Sequence, residues 1–383
     1  MDDTWPHLGL RSLEGIAETR LPRGTFDYIA GGGWDEVSVD ANAAAFRSRR
    51  LLPSVLVDVT GVRTDTTILG SSIAAPVGFA PTAMHGLVDP DGEVASVRAM
   101  AAVGLPLVLS TLSTCSLESV AEAAPEAVRW FQLYVNRDRG VARSHVERAA
   151  AAGYRAIVVT VDVPGDGYRP RDLRNRFEAN GQFGNFEGGV DYAKPLGELL
   201  AGLIDGSLTW ADIDEIRSWS PLPLVIKGIL TPADALRAVE HGAAGVWVSN
   251  HGGRQLDRAI ASLDALGPVV DAVAGRAEIY LDSGVRDGVD VIAALATGAR
   301  AVFLGRPFLY ALAVGGEAGL EAAAAGLAVE VSKAMALLGA PSVADIGRDR
   351  LAGYRDDRHR LTGQGRRRAV ARPSLRRTSI GSP

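Results

Sequence analysis

Eight short runs of apolar, β-prone residues recur through the middle of the chain. Each is followed by small and charged residues at helical spacing, and this alternation restricts the fold more than any other feature. The runs fall at 77–81, 106–110, 130–134, 157–162, 222–227, 245–249, 278–282 and 301–305. The helical stretches fall at 92–103, 117–123, 139–152, 211–218, 232–241, 262–274 and 288–297, with start signals such as Thr231-Pro232 and Ala261-Ser262. Successive runs start 23–33 residues apart, except for one gap of 65 after the fourth. Strict alternation of strand and helix predicts a parallel sheet. Eight units over 77–305 suit an α/β fold closed as a (β/α)8 TIM barrel better than an open, doubly wound sheet. The long gap, 171–209, reads as a mobile active-site loop. Before the barrel the chain predicts a helix at 23–30, ended by three glycines, and a hairpin around 66–70.

Composition excludes several classes. Hydrophobic residues make up 47% and charged residues 22% of the 383, which suits a globular core. The single cysteine, Cys115, cannot form an internal disulfide or a Cys-rich zinc site, and no other pattern suggests a metal. No uninterrupted apolar run has a membrane-spanning length, and the first residues lack a basic region followed by an apolar one, so the expectation is a cytoplasmic protein without a membrane partner. The net charge of −5 hides a split, because residues 358–383 carry eight Arg and no acidic residue while the body before them is acidic. The division read from this is a barrel unit over 1–357 and a basic, disordered tail over 358–383. Such a tail reads as solvated rather than as a nucleic-acid site.

In a barrel of this kind the site forms at the C-terminal strand ends. Read in order, those ends carry Thr82, Ser110, Gln132 with Tyr134, Thr160 with Asp162, Lys227, Ser249 with Asn250 and His251, Asp282, and Gly305 with Arg306. Lys227 ends the apolar run Leu-Pro-Leu-Val-Ile in a chain with 37 Arg and three Lys, so a compact cation is being placed in the mouth. It suits a ligand that accumulates negative charge. His251 follows a strand and precedes two glycines, a setting for a general base. His7, His145, His241 and His359 read as structural, and His85 is left open. The turns Asp282-Ser283-Gly284-Val285-Arg286 and Leu304-Gly305-Arg306-Pro307 follow runs seven and eight, where barrels often cradle a phosphate.

The segment Ser-Asn-His-Gly-Gly-Arg-Gln-Leu-Asp at 249–257 resembles the signature of the FMN-dependent 2-hydroxy acid oxidases and dehydrogenases, among them glycolate, lactate and mandelate oxidases. Further matches are L-P-x-x-x-x-D-Y at 21–28, A-P-T-A-M at 80–84, P-D-G-E at 90–93, F-Q-L-Y at 131–134, T-V-D at 160–162, and the L-D-x-G-V-R and G-R-P turns. The likeness runs from about 21 to 346 and leaves out the tail. It implies FMN across the barrel mouth. The phosphate would meet Gly284, Arg286, Gly305 and Arg306, and Asp282 would belong to the same cofactor-binding set. The ring would contact Ala80, Pro81, Thr82, Ser110, Gln132, Thr160, Lys227 and Ser249, with Lys227 stabilising the anionic reduced ring. His251 would be the base and Asp162 its orienting partner. Arg254 and Tyr28 would grip the substrate carboxylate, with Arg169 nearby, and Tyr134 would bond the substrate hydroxyl.

Departures from the family pattern bear on specificity. Leu112 stands where relatives often carry a Trp over the substrate side chain, which predicts a roomier pocket. Asp166 replaces a bulky apolar residue and is expected to present an anion to an aryl or polar substrate larger than glycolate. Ser283 replaces the Gly usual in L-D-G-G, and Ala83 matches the oxidases. The expected reaction is oxidation of an L-2-hydroxy acid, with O2 reoxidising the flavin, in a homo-oligomer that is a tetramer by family analogy. A dehydrogenase with another acceptor, and a flavin-free lyase or isomerase acting on a phosphorylated substrate, are the alternatives.

Overall fold

In the computed structural model, the residues described are 9–178, 183–186, 188, 190 and 194–353. The chain divides into two compact units, Met1–Ala352 and Gly353–Pro383. The basic tail read from the sequence, like His7 and His359, lies outside the described residues.

Period-two alternation of side chains turns the apolar runs into barrel staves. The strands are β1 (Val77–Phe79), β2 (Leu107–Ser110), β3 (Arg129–Leu133), β4 (Ile157–Thr160), β5 (Leu224–Ile229), β6 (Gly245–Val248), β7 (Glu278–Leu281) and β8 (Ala301–Leu304). All neighbours pair in parallel and β8 returns to β1, closing the ring. One face of each strand points outward, as with Leu107, Phe131, Ile157, Ile226 and Val246, into a large cluster shared with the helices. The other face fills the interior: Val108, Trp130, Val158, Val225, Trp247, Tyr280 and Phe303 pack with Ile68 and Ile73. Those two isoleucines come from an antiparallel hairpin (Thr66–Ile68 and Ser71–Ile73), which therefore plugs the barrel interior. The rings interlock, with Trp247 and Phe303 centroids 4.2 Å apart and Trp130 and Tyr280 centroids 5.2 Å apart. Glycines offset these large side chains, since a Cβ on Gly78 would lie 2.5 Å from the Phe303 ring. Each enclosed side chain contributes about 1.5–3 kcal/mol relative to exposure, so the interior is a packed core and not a pore.

The helices after the strands are α1 (Gly92–Ala102), α2 (Leu117–Ala123), α3 (Arg139–Ala151), α4 (Trp210–Ser218), α5 (Pro232–Glu240), α6 (Ser262–Val273), α7 (Gly288–Thr297) and α8 (Arg306–Leu338). Thr231 caps α5 as its sequence suggests, accepting from the Asp234 amide at 3.1 Å. Ser262 does not cap α6; its hydroxyl accepts from the Asn250 amide at 3.0 Å. Helix α8 is long and apolar enough to cross a membrane by composition, but it is kinked at Gly316 and packs against α1, α7 and the helix Leu10–Arg20.

Three segments are more ordered than their sequences suggest. Besides the expected helix Arg23–Ala30, the N-terminal region forms Leu10–Arg20 and Val37–Ser48. The long insertion, read as a loop, carries the helices Pro170–Asn175 and Leu196–Leu203. The second of these sets Leu196, Leu199 and Leu200 against Met84, Leu112 and Val163, an apolar cluster beside the mouth.

Candidate active site

The polar mouth is the interior stripe of each strand continued two residues further, because residues i and i+2 share a face. Val108 leads to Ser110, Trp130 to Gln132, Val158 to Thr160, Val225 to Lys227, Trp247 to Ser249 and Tyr280 to Asp282. These groups bond around the ring. Ser110 Oγ donates to Gln132 Oε1 (3.3 Å), and Gln132 Nε2 donates to Thr160 Oγ1 (3.0 Å). Lys227 Nζ donates to Ser249 Oγ (3.1 Å) and pairs with Asp282 Oδ2 (3.1 Å). One cavity is lined by Ala80, Pro81, Thr82, Ser110, Lys227 and Asp282. Gln132, Thr160 and Ser249, expected to touch the cofactor ring, are buried and lie outside that lining.

His251 lines the cavity and is held by a carboxylate. Asp162 Oδ1 lies 3.0 Å from His251 Nδ1, and the Tyr134 hydroxyl lies 3.4 Å from His251 Nε2. Burial alone would raise the Asp162 carboxyl, but the facing His251 and Lys227 hold it below its ordinary value. An ionised carboxylate only accepts, so Nδ1 carries the hydrogen and the Nε2 lone pair faces the cavity. Burial, reinforced by Asp162, pushes the Tyr134 phenol well up, so it stays protonated. Gln255 Nε2 donates to the Asp162 carbonyl (3.2 Å) and to the Gly165 carbonyl (3.3 Å), fixing the aspartate's own peptide.

Beside the histidine lie two guanidinium groups. Arg254 Nη1 donates to the Gly31 carbonyl (3.0 Å) and the Tyr28 carbonyl (2.5 Å), and its charge sits 4.8 Å from the Tyr28 ring centroid. No carboxylate reaches Arg254 within ion-pair distance among the described residues. Burial, then the like charge of Arg169, pushes its pKa down, so an incoming anion would be stabilised there. The expected free anion at Asp166 is corrected by the geometry. Its Oδ1 lies 2.5 Å from Arg169 Nη2, and Asp172 Oδ2 lies 2.7 Å from Arg169 Nε. Asp166 and Arg169, three residues apart, form an ion pair in which Asp172 also shares the guanidinium. The remaining wall is apolar: Ala83, Leu112, Val163, Leu200 and Ile204.

The same cavity is lined by Gly284, Arg286, Gly305 and Arg306. Gly284 has φ +102°, and a Cβ there would lie 2.7 Å from the Asn42 carbonyl oxygen. The Arg286 side chain has the Val285 carbonyl as its hydrogen-bond acceptor (2.9 Å), burial lowers its pKa against the opposing pull of Glu14 and Asp290, and no carboxylate reaches it within ion-pair distance among the described residues. The Arg306 side chain, expected at the phosphate, lines the cavity and is engaged by backbone. It clasps the carbonyls of Ile29 (2.8 Å), Gly252 (2.8 Å) and Gly31 (2.7 Å), and burial with the neighbouring Arg254 pushes it down to about 10. What Arg306 offers a phosphate is its peptide N–H in the first turn of α8. A glycine turn, an uncompensated guanidinium and a helix N-terminus fit a phosphate, and the Lys227–Asp282 pair lies on the same cavity wall.

Several supports were missed in the sequence because their partners are distant. Asn42 and Asn250 exchange two amide hydrogen bonds of 2.8 Å, and the Asp257 carboxylate accepts from the Asp35, Val37 and Ser38 amides, seating the helix Val37–Ser48 on the signature loop. His85 is resolved as structural. Ser96 donates to the Gly92 carbonyl, so His85 Nδ1–H donates to Ser96 (2.8 Å) and Nε2 accepts from Thr82 (2.7 Å), and burial keeps the ring neutral. His145 packs against Phe131 and Phe186, and His241 pairs with Asp214 on the exterior.

A base beside an anion clamp, with a phosphate cradle lining the same cavity, fits an enzyme barrel that holds a phosphate-bearing cofactor next to an anionic substrate. Comparison with known proteins makes this specific. The FMN-dependent dehydrogenase family profile matches residues 17–353. An L-lactate oxidase of Nostoc sp. is 46% identical over 351 residues, covering 88% of this chain and 96% of that protein. The human 2-hydroxyacid oxidase 2 is 45% identical over 341 residues, covering 89% and 97%. Among solved structures, a mandelate oxidase with (S)-4-hydroxymandelic acid superposes with a TM-score of 0.86 at 41% identity, covering 90% of this chain and 98% of that one. The chain belongs to the FMN-dependent 2-hydroxy acid oxidase family, and its cofactor is FMN.

Proposed function

We propose that this enzyme oxidises an L-2-hydroxy acid with a bulky, apolar or aryl side chain, of the mandelate kind, to the 2-oxo acid, and that O2 accepts the electrons and leaves as H2O2. The observation that carries the reading is that the apolar side chains of Ala83, Leu112, Val163, Leu200 and Ile204 line the same cavity as His251 and Arg254. Asp166 also lines the cavity, but its pairing with Arg169 leaves the apolar side chains as the feature that favours an aryl group. FMN, when bound, supplies the two-electron acceptor, and Arg286, Gly284 and the α8 N-terminus would hold its phosphate. Arg254 binds the substrate carboxylate, with Arg169, itself paired with Asp166 and Asp172, beside it, and fixes which face of the α-carbon is presented. Tyr134 O–H donates to the substrate oxygen. His251 Nε2 takes one proton from the substrate, and the imidazolium so formed is stabilised by Asp162. Base catalysis of this kind contributes about 10²–10⁴-fold. Lys227, which lines the cavity, would offer positive charge to a bound cofactor as it takes up electrons. We propose in addition a homo-oligomer, a tetramer by analogy with the family.

The test is the visible spectrum of the FMN-loaded protein under nitrogen, titrated with acids from glycolate to mandelate. Reduction by mandelate at lower concentrations than by glycolate, with one H2O2 formed per oxo acid when air is admitted, is expected. Glycolate reducing the enzyme as well as every larger acid would overturn the substrate assignment. Reduction without H2O2 in air would point to a dehydrogenase with another acceptor.

A further inference from the structure

Three consecutive residues of the catalytic loop lie in left-handed backbone: His251 at φ +58°, Gly252 at +66° and Gly253 at +73°. Their amides point to three different side-chain oxygens. His251 N donates to Ser249 Oγ (3.0 Å), Gly252 N to Ser283 Oγ (2.9 Å), and Gly253 N to Asn250 Oδ1 (3.1 Å). Ser249 and Asn250 belong to the signature itself. Ser283 reaches in from the turn after β7, and it stands where the family resemblance expects glycine. Its own φ is +75°, a region in which a Cβ is strained. Strain at a buried position, with the hydroxyl engaged twice, marks the hydroxyl as the reason for the residue.

The second bond of that hydroxyl closes a circuit. Ser283 Oγ–H donates to Asp282 Oδ1 (2.8 Å), Asp282 Oδ2 pairs with Lys227 Nζ (3.1 Å), and Lys227 Nζ donates to Ser249 Oγ (3.1 Å), which accepts from His251 N. We propose that Ser283 is a positioning residue that ties the Lys227–Asp282 pair to the His251 loop, so that the charge offered to FMN and the aim of the base are set together. The inference rests on the reading of His251 as base. By donating to Asp282, the hydroxyl draws off part of the negative charge that would otherwise neutralise Lys227, and so leaves more positive potential toward the cofactor. By accepting from Gly252 N, it holds the peptide next to His251.

Ser283→Gly and Ser283→Ala in the FMN-loaded protein separate this role from a purely structural one. Glycine tolerates the backbone conformation, so this variant folds, and relief of strain is expected to leave its Tm equal or higher. If the hydroxyl acts as proposed, both variants keep FMN, and the midpoint potential of the bound flavin, measured without substrate, falls. The rate constant for anaerobic reduction by saturating mandelate then drops about tenfold, the effect of losing one hydrogen bond to a charged group. The half-saturating mandelate concentration stays near wild type, because Arg254 and Arg169 are untouched. An unchanged potential or an unchanged reduction rate in Ser283→Gly overturns the proposal. Failure of the underlying reading shows separately, as wild-type speed of reduction in His251→Ala.

Discussion

Asp162→Asn tests the heart of the mechanism with the smallest change of shape. The carboxylate oxygen lies 3.0 Å from His251 Nδ1. Two opposite unit charges at that distance, in an effective dielectric of about 20, attract by about 5–6 kcal/mol. Asparagine keeps an acceptor oxygen and a dipole toward Nδ1, and the cavity admits water, so about half of that attraction is lost as the imidazolium forms. A loss of about 3 kcal/mol lowers the reduction rate about 10²-fold. Asp162→Ala also removes the hydrogen bond that selects the tautomer and is expected to lose about tenfold more. The assay is anaerobic stopped-flow reduction of the bound flavin across a range of mandelate concentrations. The limiting rate should fall while the half-saturating concentration stays within a few fold, because the carboxylate is held by the arginines. A limiting rate within threefold of wild type would refute the assignment of Asp162 as the stabiliser of the protonated base.

Arg254→Ala is expected to raise the half-saturating concentration about 10–100-fold, the worth of a charged hydrogen bond, and to lower the Tm, because the Arg254 clasp on the Tyr28 and Gly31 carbonyls is lost as well. Arg254→Lys should recover only part of the affinity, and wild-type saturation in the alanine variant would remove Arg254 from the clamp. Leu112→Trp, which narrows the apolar wall, should cut kcat/KM for mandelate at least tenfold while leaving glycolate within threefold; equal losses on both acids would show that the side chain binds elsewhere. Asp290 gives a pH prediction. Burial, then the like charge of Asp287, raises its carboxyl to about 6 in the folded chain from an ordinary 3.8. The folded state therefore holds this proton more tightly, and the group's contribution to stability falls as the pH rises from about 4 to about 6, by an order of 3 kcal/mol, and is flat above. Chemical denaturation at pH 4 and pH 8 should find Asp290→Asn less destabilising, relative to wild type, at the higher pH; the reverse order would contradict the sign.

All eight strands and seven of the barrel helices stand within a residue or two of where the alternation places them, because the signal there is local: β-prone runs bounded by caps and glycines. The eighth helix was not legible. Helix α8 has apolar residues on all sides, buried against several neighbours, so it presents no amphipathic stripe to read. The helix Val37–Ser48 was missed for another reason, since the carboxylate that receives its first amides, Asp257, lies 219 residues from Ser38. Within the site, the catalytic group types and their strand ends could be read, and the resemblance implied the Asp162–His251 pair, while the other pairings could not be read. The sequence offers Asp166 as a free pocket anion, and folding bonds it to Arg169; it offers two phosphate arginines, and folding turns the Arg306 side chain onto three carbonyls.

What the sequence by itself determined was the barrel and the positions of Gln132, Lys227, His251 and Asp282 at its mouth, because period two along a strand carries an apolar interior stripe into a polar end. Local sequence pattern does not say which groups face each other; the resemblance implied the Asp162–His251 pair, and the tertiary structure decided the rest. Asp162 meets His251 across 89 residues, Asn42 meets Asn250 across 208, and Ser283 meets Gly252 across 31, and each contact exists only once the ring of strands has closed. A hydrogen bond requires two groups within about 3 Å, and spacing along an open chain does not specify that distance.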